Sequence, residues 1–351
     1  MGGIKSFKVH DEVHKFITRT ARDVNFVDSD LPLNLAPHFS IHNRIVLDLE
    51  DCKLLKNHHL KSICNILLLK YLSLRNTGIA YLPKKIKELQ CLETLDIRQT
   101  KIRIFAKKAV VLPQLKHFLS GHKVSSSNDL KTLKESFPTM CVPFDIQRMK
   151  NLEILYHVHF ANSNSELAGI GQLQKLRKLG VDLHGENAKL SVLFHQINKL
   201  YRCLRSLSVR IHRPAENHGS GTTDVLPMLQ PYIESLNISG IVTGFAHLFL
   251  HQYQLVKVTL SETLFKEGDL RILGKLPRLR CLRLQHRSYN ESSLAFKEDE
   301  FQSLNFLLVE GSEITKITFV NGAAPKLKKI IWSFATMDGI SGLIHLPKLT
   351  N

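Results

Sequence analysis

The first residues that could do chemistry are two histidines near the start of the chain. His10 and His14 are four places apart in the segment His10-Asp11-Glu12-Val13-His14. Residues at this spacing share one face of a helix, where two imidazoles could hold a metal ion. The segment differs from the H-E-x-x-H zinc motif, because its glutamate comes one place late. We therefore predict no metal site here.

Motifs that position a nucleophile or a phosphate group are missing from the sequence. There is no G-x-S-x-G elbow, no G-x-x-x-x-G-K-[ST] loop and no cysteine paired with a histidine by a known motif. His157 and His159 alternate along a predicted strand, and we interpret them as core or groove residues. The scattered cysteines form no C-x-x-C pair, which argues against structural zinc and favours a reducing compartment. We predict no catalytic residues and no enzyme activity.

The charge balance is strongly basic, because 48 lysines and arginines outnumber 31 aspartates and glutamates, for a net charge of +17. Such a balance permits contact with nucleic acid, an anionic membrane or an acidic protein surface. The charges are spread along the chain, so we interpret most of them as solvated side chains between buried leucines. No apolar run approaches the roughly 18 residues of a membrane span, and we predict no transmembrane segment.

A repeated leucine pattern organises most of the chain. Leu69, Leu72 and Leu74 fill the first, fourth and sixth places of one unit, and Leu92 and Leu95 begin the next unit about 23 residues later. This is the leucine-rich repeat signature L-x-x-L-x-L-x-x-N/C/T-x-L. An earlier unit begins at Arg44, and later units begin near Leu115, Leu152, Leu176, Leu204, Ile233, Leu255, Leu279, Leu304, Leu327 and Leu349.

The repeat spacing predicts an α/β fold, a leucine-rich-repeat solenoid. The leucine places point into a shared core, and the strands form a parallel sheet on the concave side of a curved horseshoe. Turns or short helices fill the convex side. We expect a short helical segment in residues 1–30, a linker with a partial strand in 31–43, and about twelve repeats in 44–351. Loop excursions are expected near 120–150 and in 213–224.

The concave strand places carry the candidate binding residues. Side chains at the third, fifth and seventh places alternate with the leucines, so they should face outward from the core. Arginine and aromatic residues are common binding anchors. Trp332 falls at a sixth place and is predicted to be core. The candidates for partner binding are Tyr71, Arg75, Asp96, Arg98, Lys178, Arg210, Lys257, Arg283, Phe306 and Lys329.

Several segments of the sequence resemble motifs of one receptor family. The segment Val9-His10-Asp11 resembles the Met-His-Asp motif that closes the nucleotide-binding module of plant coiled-coil NB-LRR disease-resistance proteins. The repeats at 69–77 and 92–100, and the segments 82–86 and 171–180, are similar to those of cereal members. This resemblance implies that the chain corresponds to the C-terminal part of such a receptor, from the end of the winged-helix region through the repeats.

The resemblance implies a vestigial nucleotide-sensing motif at Val9, His10 and Asp11. In such receptors the histidine lies near the ADP phosphates. Because this chain carries no phosphate loop, we expect it to bind no cofactor, since ADP or ATP would need the upstream nucleotide-binding domain.

The resemblance further implies a function in plant immunity. The repeats would sense a pathogen effector or a host protein that an effector modifies, and would restrain the receptor's own nucleotide-binding domain. The expected location is cytoplasmic, with the nucleus as a second compartment. Two alternatives stay open: a truncated, stand-alone interaction scaffold, and a nucleic-acid binder that uses the basic surface. We consider nucleic acid the weaker of these, because no aromatic stacking box or base-reading motif is present.

Overall fold

The computed structural model describes residues 39–42, 44–104, 110–121, 140–142, 145–160, 164–184, 190–212, 228–240, 246–311, 313–333 and 339–349. The chain divides into two compact units, Met1–His159 and Phe160–Asn351. Within the described ranges, no helix has the length and apolarity that a membrane crossing requires. The predicted helical segment of residues 1–30, the motif Val9-His10-Asp11, the pair His10 and His14, and most of both loop excursions lie outside the described residues.

The first unit contains a parallel strand ladder, as the repeats predict. Strands β2, β3, β4, β5 and β7 pair in this order, and β6 pairs with β7. Short 3₁₀ helices lie at Lys84–Glu88 and Ile146–Arg148. The elements are β1 (Phe39–His42), β2 (Arg44–Asp48), α1 (Asn57–Ile63), β3 (Leu69–Ser73), β4 (Thr94–Asp96), β5 (His117–Leu119), β6 (Met140–Cys141) and β7 (Ile154–His159).

The core of this unit follows the leucine places. Leu47, Leu72 and Leu95 lie opposite one another in neighbouring strands and are fully buried. In two consecutive repeats, the threonine at the Asn/Cys/Thr place donates a hydrogen bond to a main-chain carbonyl where the chain leaves the strand. Thr77 Oγ1 donates to the Leu74 carbonyl at 2.6 Å, and Thr100 Oγ1 makes the equivalent bond one repeat later. Buried hydroxyls are stable here because each has a partner.

Strand β1 is antiparallel to β2, in contrast to the parallel repeats that follow. Phe39 lies opposite Leu47, and Ile41 lies opposite Ile45. A parallel neighbour would need a crossover of a dozen or more residues, and the chain between these strands is far shorter. The strand predicted in 31–43 therefore returns as a hairpin and belongs to no repeat.

The second unit contains a longer parallel ladder and a smaller second sheet. The larger sheet has the order β8-β9-β10-β11-β12-β14-β16, and the smaller has the order β13-β15-β17. A 3₁₀ helix lies at Ala246–Phe249 and another at Leu343–His345. The elements are α2 (Asn164–Ile170), β8 (Lys178–His184), α3 (Leu190–Asn198), β9 (Ser206–His212), β10 (Ser235–Ser239), β11 (Lys257–Ser261), α4 (Glu267–Gly274), β12 (Cys281–Gln285), β13 (Ser293–Phe296), β14 (Phe306–Glu310), β15 (Lys316–Phe319), β16 (Lys329–Ser333) and β17 (Gly339–Ser341).

The smaller sheet replaces the turns or short helices that were predicted after the strands of the repeats. Phe296 in β13 and Phe319 in β15 lie opposite each other, with stacked rings whose centroids are 4.7 Å apart. Phe301 packs against Phe296 with a centroid distance of 5.0 Å. All three rings are buried. Because aromatic side chains pack well on a pleated surface, these segments favour strands over helices.

The prediction that Trp332 belongs to the core is wrong. Its side chain is 41% exposed. Trp332 lies in β16, which among the described residues pairs on one side only, with β14. A sixth place becomes core when repeats pack on both sides of it, and this strand has one such neighbour among the described residues. The predicted leucine-rich-repeat solenoid is otherwise confirmed, as a parallel ladder in each unit.

Candidate protein-interaction face

The parallel register of the second unit aligns the outward side chains in three rows. Residues opposite one another in neighbouring strands are about 4.8 Å apart, and each row alternates with core residues. We call these rows together the outward face of the second unit. The first row is Lys178, Ser206, Ser235, Lys257, Cys281, Phe306 and Lys329; the second is Gly180, Ser208, Asn237, Thr259, Arg283, Leu308 and Ile331; the third is Asp182, Arg210, Ser239, Ser261, Gln285, Glu310 and Ser333.

The predicted residues Lys178, Arg210, Lys257, Arg283, Phe306 and Lys329 therefore lie on one face. The first and last of these lysines are exposed, while the others are half-buried. The four residues Lys178, Arg210, Lys257 and Lys329 form no ion pair with any described residue. Their positive charge is thus available to an acidic partner.

The outward face of the first unit is built differently. It contains the other predicted residues, Tyr71, Arg75, Asp96 and Arg98, next to Thr94, whose Oγ1 lies 3.0 Å from His117 Nδ1. The two arginines at this face are neutralised by acidic residues of the same unit. Its charge is therefore engaged internally.

Arg75 bridges two neighbouring repeats. Its guanidinium lies 2.9 Å from Glu50 Oε1 in the repeat before it, and its Nε donates to Gln99 Oε1 in the repeat after it, at 3.3 Å. The Glu50 main-chain N–H in turn donates to Asp48 Oδ1 at 3.1 Å. The role of Glu50 could not be predicted from the sequence, because its pairing depends on a residue one whole repeat away.

Asp96, one of the predicted binding residues, is not accessible to a partner. It faces outward, yet it is buried because the Arg98 side chain covers it. A carboxylate in this position cannot reach a protein partner. We therefore assign Asp96 to the support of Arg98 and not to partner binding.

Tyr71 lies half-buried beside these charges. Burial raises the pKa of its phenol, and the nearby carboxylates of Asp48 and Asp96 raise this pKa further. The phenol therefore stays neutral and can offer an O–H donor at the surface.

Sequence reasoning missed an apolar pair at the β14–β16 end of the second unit's outward face. Leu308 and Ile331 lie opposite each other on β14 and β16, with exposed fractions of 8% and 38%. Arg283 lies opposite Leu308, and its guanidinium carbon is 5.4 Å from the centroid of the Phe306 ring. Fifth-place apolar residues in consecutive repeats were the available signal, because such places are normally polar.

Comparison with known proteins agrees with this architecture. A sequence model described as a leucine-rich repeat region matches residues 22–351. The chain is 26% identical over 436 aligned positions to the rice (Oryza sativa subsp. japonica) disease resistance protein Pik-2, covering 99% of this chain and 42% of that protein. It is 32% identical over 246 positions to the rice disease resistance protein RGA4, covering 68% of this chain and 24% of that protein.

The chain thus spans less than half the length of the curated relatives that it matches. Among solved structures, a Listeria monocytogenes internalin has a TM-score of 0.46 at 15% identity, covering 88% of this chain and 85% of that chain. The resemblance to cereal disease-resistance proteins that the repeat phrases predict is confirmed by the two rice relatives.

Proposed function

Because the chain belongs to the leucine-rich repeat region family and resembles rice disease resistance proteins, we propose that it is the recognition and autoregulatory part of a plant immune receptor. In this proposal it binds a pathogen effector, or a host protein that an effector modifies, by protein–protein contact and without catalysis. The receptor acts in the cytoplasm, with the nucleus as a second compartment.

One observation carries the proposal: the cations on the outward face of the second unit have no ion-pair partner among the described residues. A protein that only needed a soluble sheet could neutralise these charges locally, as the first unit does with Glu50 and Asp96. The same face also carries Arg283 and Phe306, and this composition favours a binding surface, since anchors in interfaces are enriched in arginine and aromatic residues.

The autoregulatory part of the proposal concerns the receptor's nucleotide-binding domain. We propose that the repeats restrain this domain until a partner binds, and that any ADP or ATP is held by that domain. His10 and its neighbours Val9 and Asp11 would contribute to nucleotide sensing only in its presence. These residues lie outside the described part of the chain.

The proposal is tested by reversing charge on the outward face in the full-length receptor gene. We would replace Lys178, Lys257 and Lys329 together by glutamate and express the gene in the native plant. The expected result is loss of the defence response to infection, scored as pathogen growth and local cell death. Normal resistance in this triple variant, at normal protein level, would show that the face has no role in recognition.

A matched control reverses the same amount of charge away from this face. Lys84, Lys101 and Lys275 are exposed lysines outside the three rows. Their replacement by glutamate changes the net charge equally, so resistance should be retained. Equal loss of resistance in both triple variants would attribute the effect to net charge and would contradict the proposed binding face.

A further inference from the structure

Arg283, on the outward face of the second unit, has no acidic partner among the described residues and carries a buried donor without an acceptor. It forms no hydrogen bond or ion pair with any described residue, and its contact with the Phe306 ring is 5.4 Å from guanidinium carbon to ring centroid. Its Nε is buried and has no acceptor. A guanidinium carries five N–H donors in a planar fork, and a buried donor without an acceptor is costly to the folded state. Such a group therefore requires a reason other than stability.

Arg75 and Arg98, on the outward face of the first unit, show how this fold holds an arginine that has a structural role. Arg98 is held by Asp96, and Arg75 is held by Glu50 and Gln99. Both arginines occupy outward places of their repeats. The chain can therefore supply a partner for an arginine on such a face, and at Arg283 the described residues supply none.

The nearest carboxylate on the same face is already engaged. Glu310, in the third row, accepts a hydrogen bond from Gln285 Nε2 at 2.6 Å. Arg283 leans toward Phe306, which lies opposite Cys281 and thus toward the beginning of the strand, away from Glu310. The guanidinium is therefore directed into a region without an acidic side chain of the three rows.

The surroundings of Arg283 define what could bind there. Leu308 and Ile331 form an aliphatic surface on one side. Lys257 lies opposite Cys281, and Lys329 lies opposite Phe306, so two further cations flank the same area. A ligand that matches this area must combine negative charge with an aliphatic side chain.

We propose that Arg283 is the anchor for a carboxylate in an acidic, aliphatic segment of the protein partner. The carboxylate pairs with the Arg283 guanidinium, which is already fixed against Phe306, and an adjacent leucine-like side chain covers Leu308 and Ile331. Arginine forms planar, bidentate pairs with carboxylates, and aliphatic contact removes water from that pair. This inference rests on the proposed function, because it specifies the chemistry of the partner at the same face.

A nucleic acid fits this area less well. Single strands bind through bases stacked on aromatic rings, together with contacts to phosphate. Phe306 is the single aromatic residue of the three rows, and one face of its ring is occupied by Arg283. The area therefore offers an aliphatic contact to a peptide and little stacking surface to a base.

The test uses the purified chain and labelled synthetic peptides of alternating aspartate and leucine, with binding measured by fluorescence anisotropy. Arg283→Met should weaken binding about tenfold to a hundredfold, since hydrogen bonds between charged groups contribute at this level. Peptides of asparagine and leucine, or of aspartate and serine, should bind weakly to the unmodified chain. Equal affinity of the Arg283→Met variant, or of the asparagine peptide, would overturn the proposal.

Three controls make the result specific. Arg278→Met removes an exposed arginine outside the three rows and should leave affinity unchanged. Arg283→Lys keeps the charge but loses the planar fork, so it should bind more weakly than the unmodified chain. Single-stranded RNA that binds the chain more tightly than the aspartate–leucine peptide, and loses affinity with Arg283→Met, would assign the site to nucleic acid and contradict the proposal.

Thermal unfolding provides a readout that is independent of binding. Because Arg283 has an unpaired buried donor, Arg283→Met should leave the melting temperature unchanged or raise it; a lowered value would mean that the arginine is structural.

The binding face of the proposed function and the carboxylate anchor can also fail separately. Failure of the unmodified chain to bind the aspartate–leucine peptide, with the lysine triple variant still abolishing resistance, would refute the carboxylate anchor and leave the proposed recognition face in place.

Discussion

Asp96 and Arg98 form an ion pair at the end of β4, and its carboxylate is almost fully shielded from solvent. Arg98 Nε donates to Asp96 Oδ1 at 2.9 Å and to Oδ2 at 3.0 Å, and the Arg98 main-chain N–H donates to Oδ1 at 3.0 Å. The exposed fraction is 3% for the Asp96 side chain and 35% for that of Arg98. The hydrogen bond to Asp96 raises the pKa of Arg98. The arginine therefore acts as a cover for a buried carboxylate.

This geometry predicts that Arg98→Met destabilises the protein. The variant removes the side-chain donors of Asp96 and leaves a buried carboxylate with one main-chain N–H. We expect a loss of about 1–3 kcal/mol in the free energy of unfolding, the usual cost of an under-satisfied buried polar group. Urea unfolding followed by circular dichroism measures this loss.

Lys101→Met is the control for this prediction, because it removes an exposed cation of the same repeat. We expect it to change the free energy of unfolding by less than about 0.5 kcal/mol. Similar values for both variants would show that the Asp96–Arg98 pair contributes no more than an ordinary surface charge.

Gly240 is predicted to tolerate no side chain. Its φ is +79°, and a Cβ atom would lie 2.2 Å from the Ile211 carbonyl oxygen on the neighbouring repeat. Gly240→Ala should therefore cost about 1–3 kcal/mol from the backbone conformation, and the forced shift of the main chain adds to this. The lowered midpoint of thermal unfolding is the measurement.

Gly268 provides a matched control, because its replacement by alanine should raise the stability of the protein. It is exposed in α4, and a Cβ atom would meet no atom within 4 Å. Because glycine is a poor helix residue, Gly268→Ala should stabilise the protein by about 0.5–1 kcal/mol. A destabilised Gly268→Ala variant would contradict the packing of this helix.

Glu267 is predicted to titrate far below an ordinary glutamate. Hydrogen bonds from Arg271 and Lys297, at 2.8 and 2.6 Å, lower its pKa to about 2. Because the folded pKa is below the unfolded value of about 4.3, folding favours the ionised form. The resulting stability is fully present above pH about 4.3 and is lost as the pH falls toward 2.

Carbon-detected NMR of the glutamate side chains measures this midpoint directly. Lys297→Gln removes one of the two cations and should move the Glu267 midpoint upward. High salt should act in the same direction, since the groups are solvated and their attraction is screened. A midpoint near 4.3 in the unmodified chain would contradict the ion pairs.

The repeat core could be predicted from the sequence because it depends on local spacing. Leu72 and Leu95 recur at the same place of consecutive units, so their burial follows from the period alone. Thr77 and Thr100 follow the same rule. Which outward charges are engaged could not be predicted, since the Arg75–Glu50 pair joins residues in different repeats.

The wrong assignments have a common physical origin, because they treat all repeats as equivalent. Asp96 occupies an ordinary outward place and is buried by the side chain two residues later. Trp332 occupies an ordinary inward place on a strand with one described neighbour. The place in the repeat predicts only whether a side chain points inward or outward. Whether that side chain is buried depends on what packs against it. The roles of Val9, His10 and Asp11 stay predictions.

The antiparallel pairing of β1 with β2 limits where this sheet can gain further repeats. Strand β1 occupies the hydrogen-bonding edge that a further parallel repeat would need. A further parallel repeat can therefore join this ladder only after β2, where the described strands of the ladder run parallel to one another. Any added outward-facing area would then lie at a distance from the hairpin, while the hairpin keeps the same neighbours.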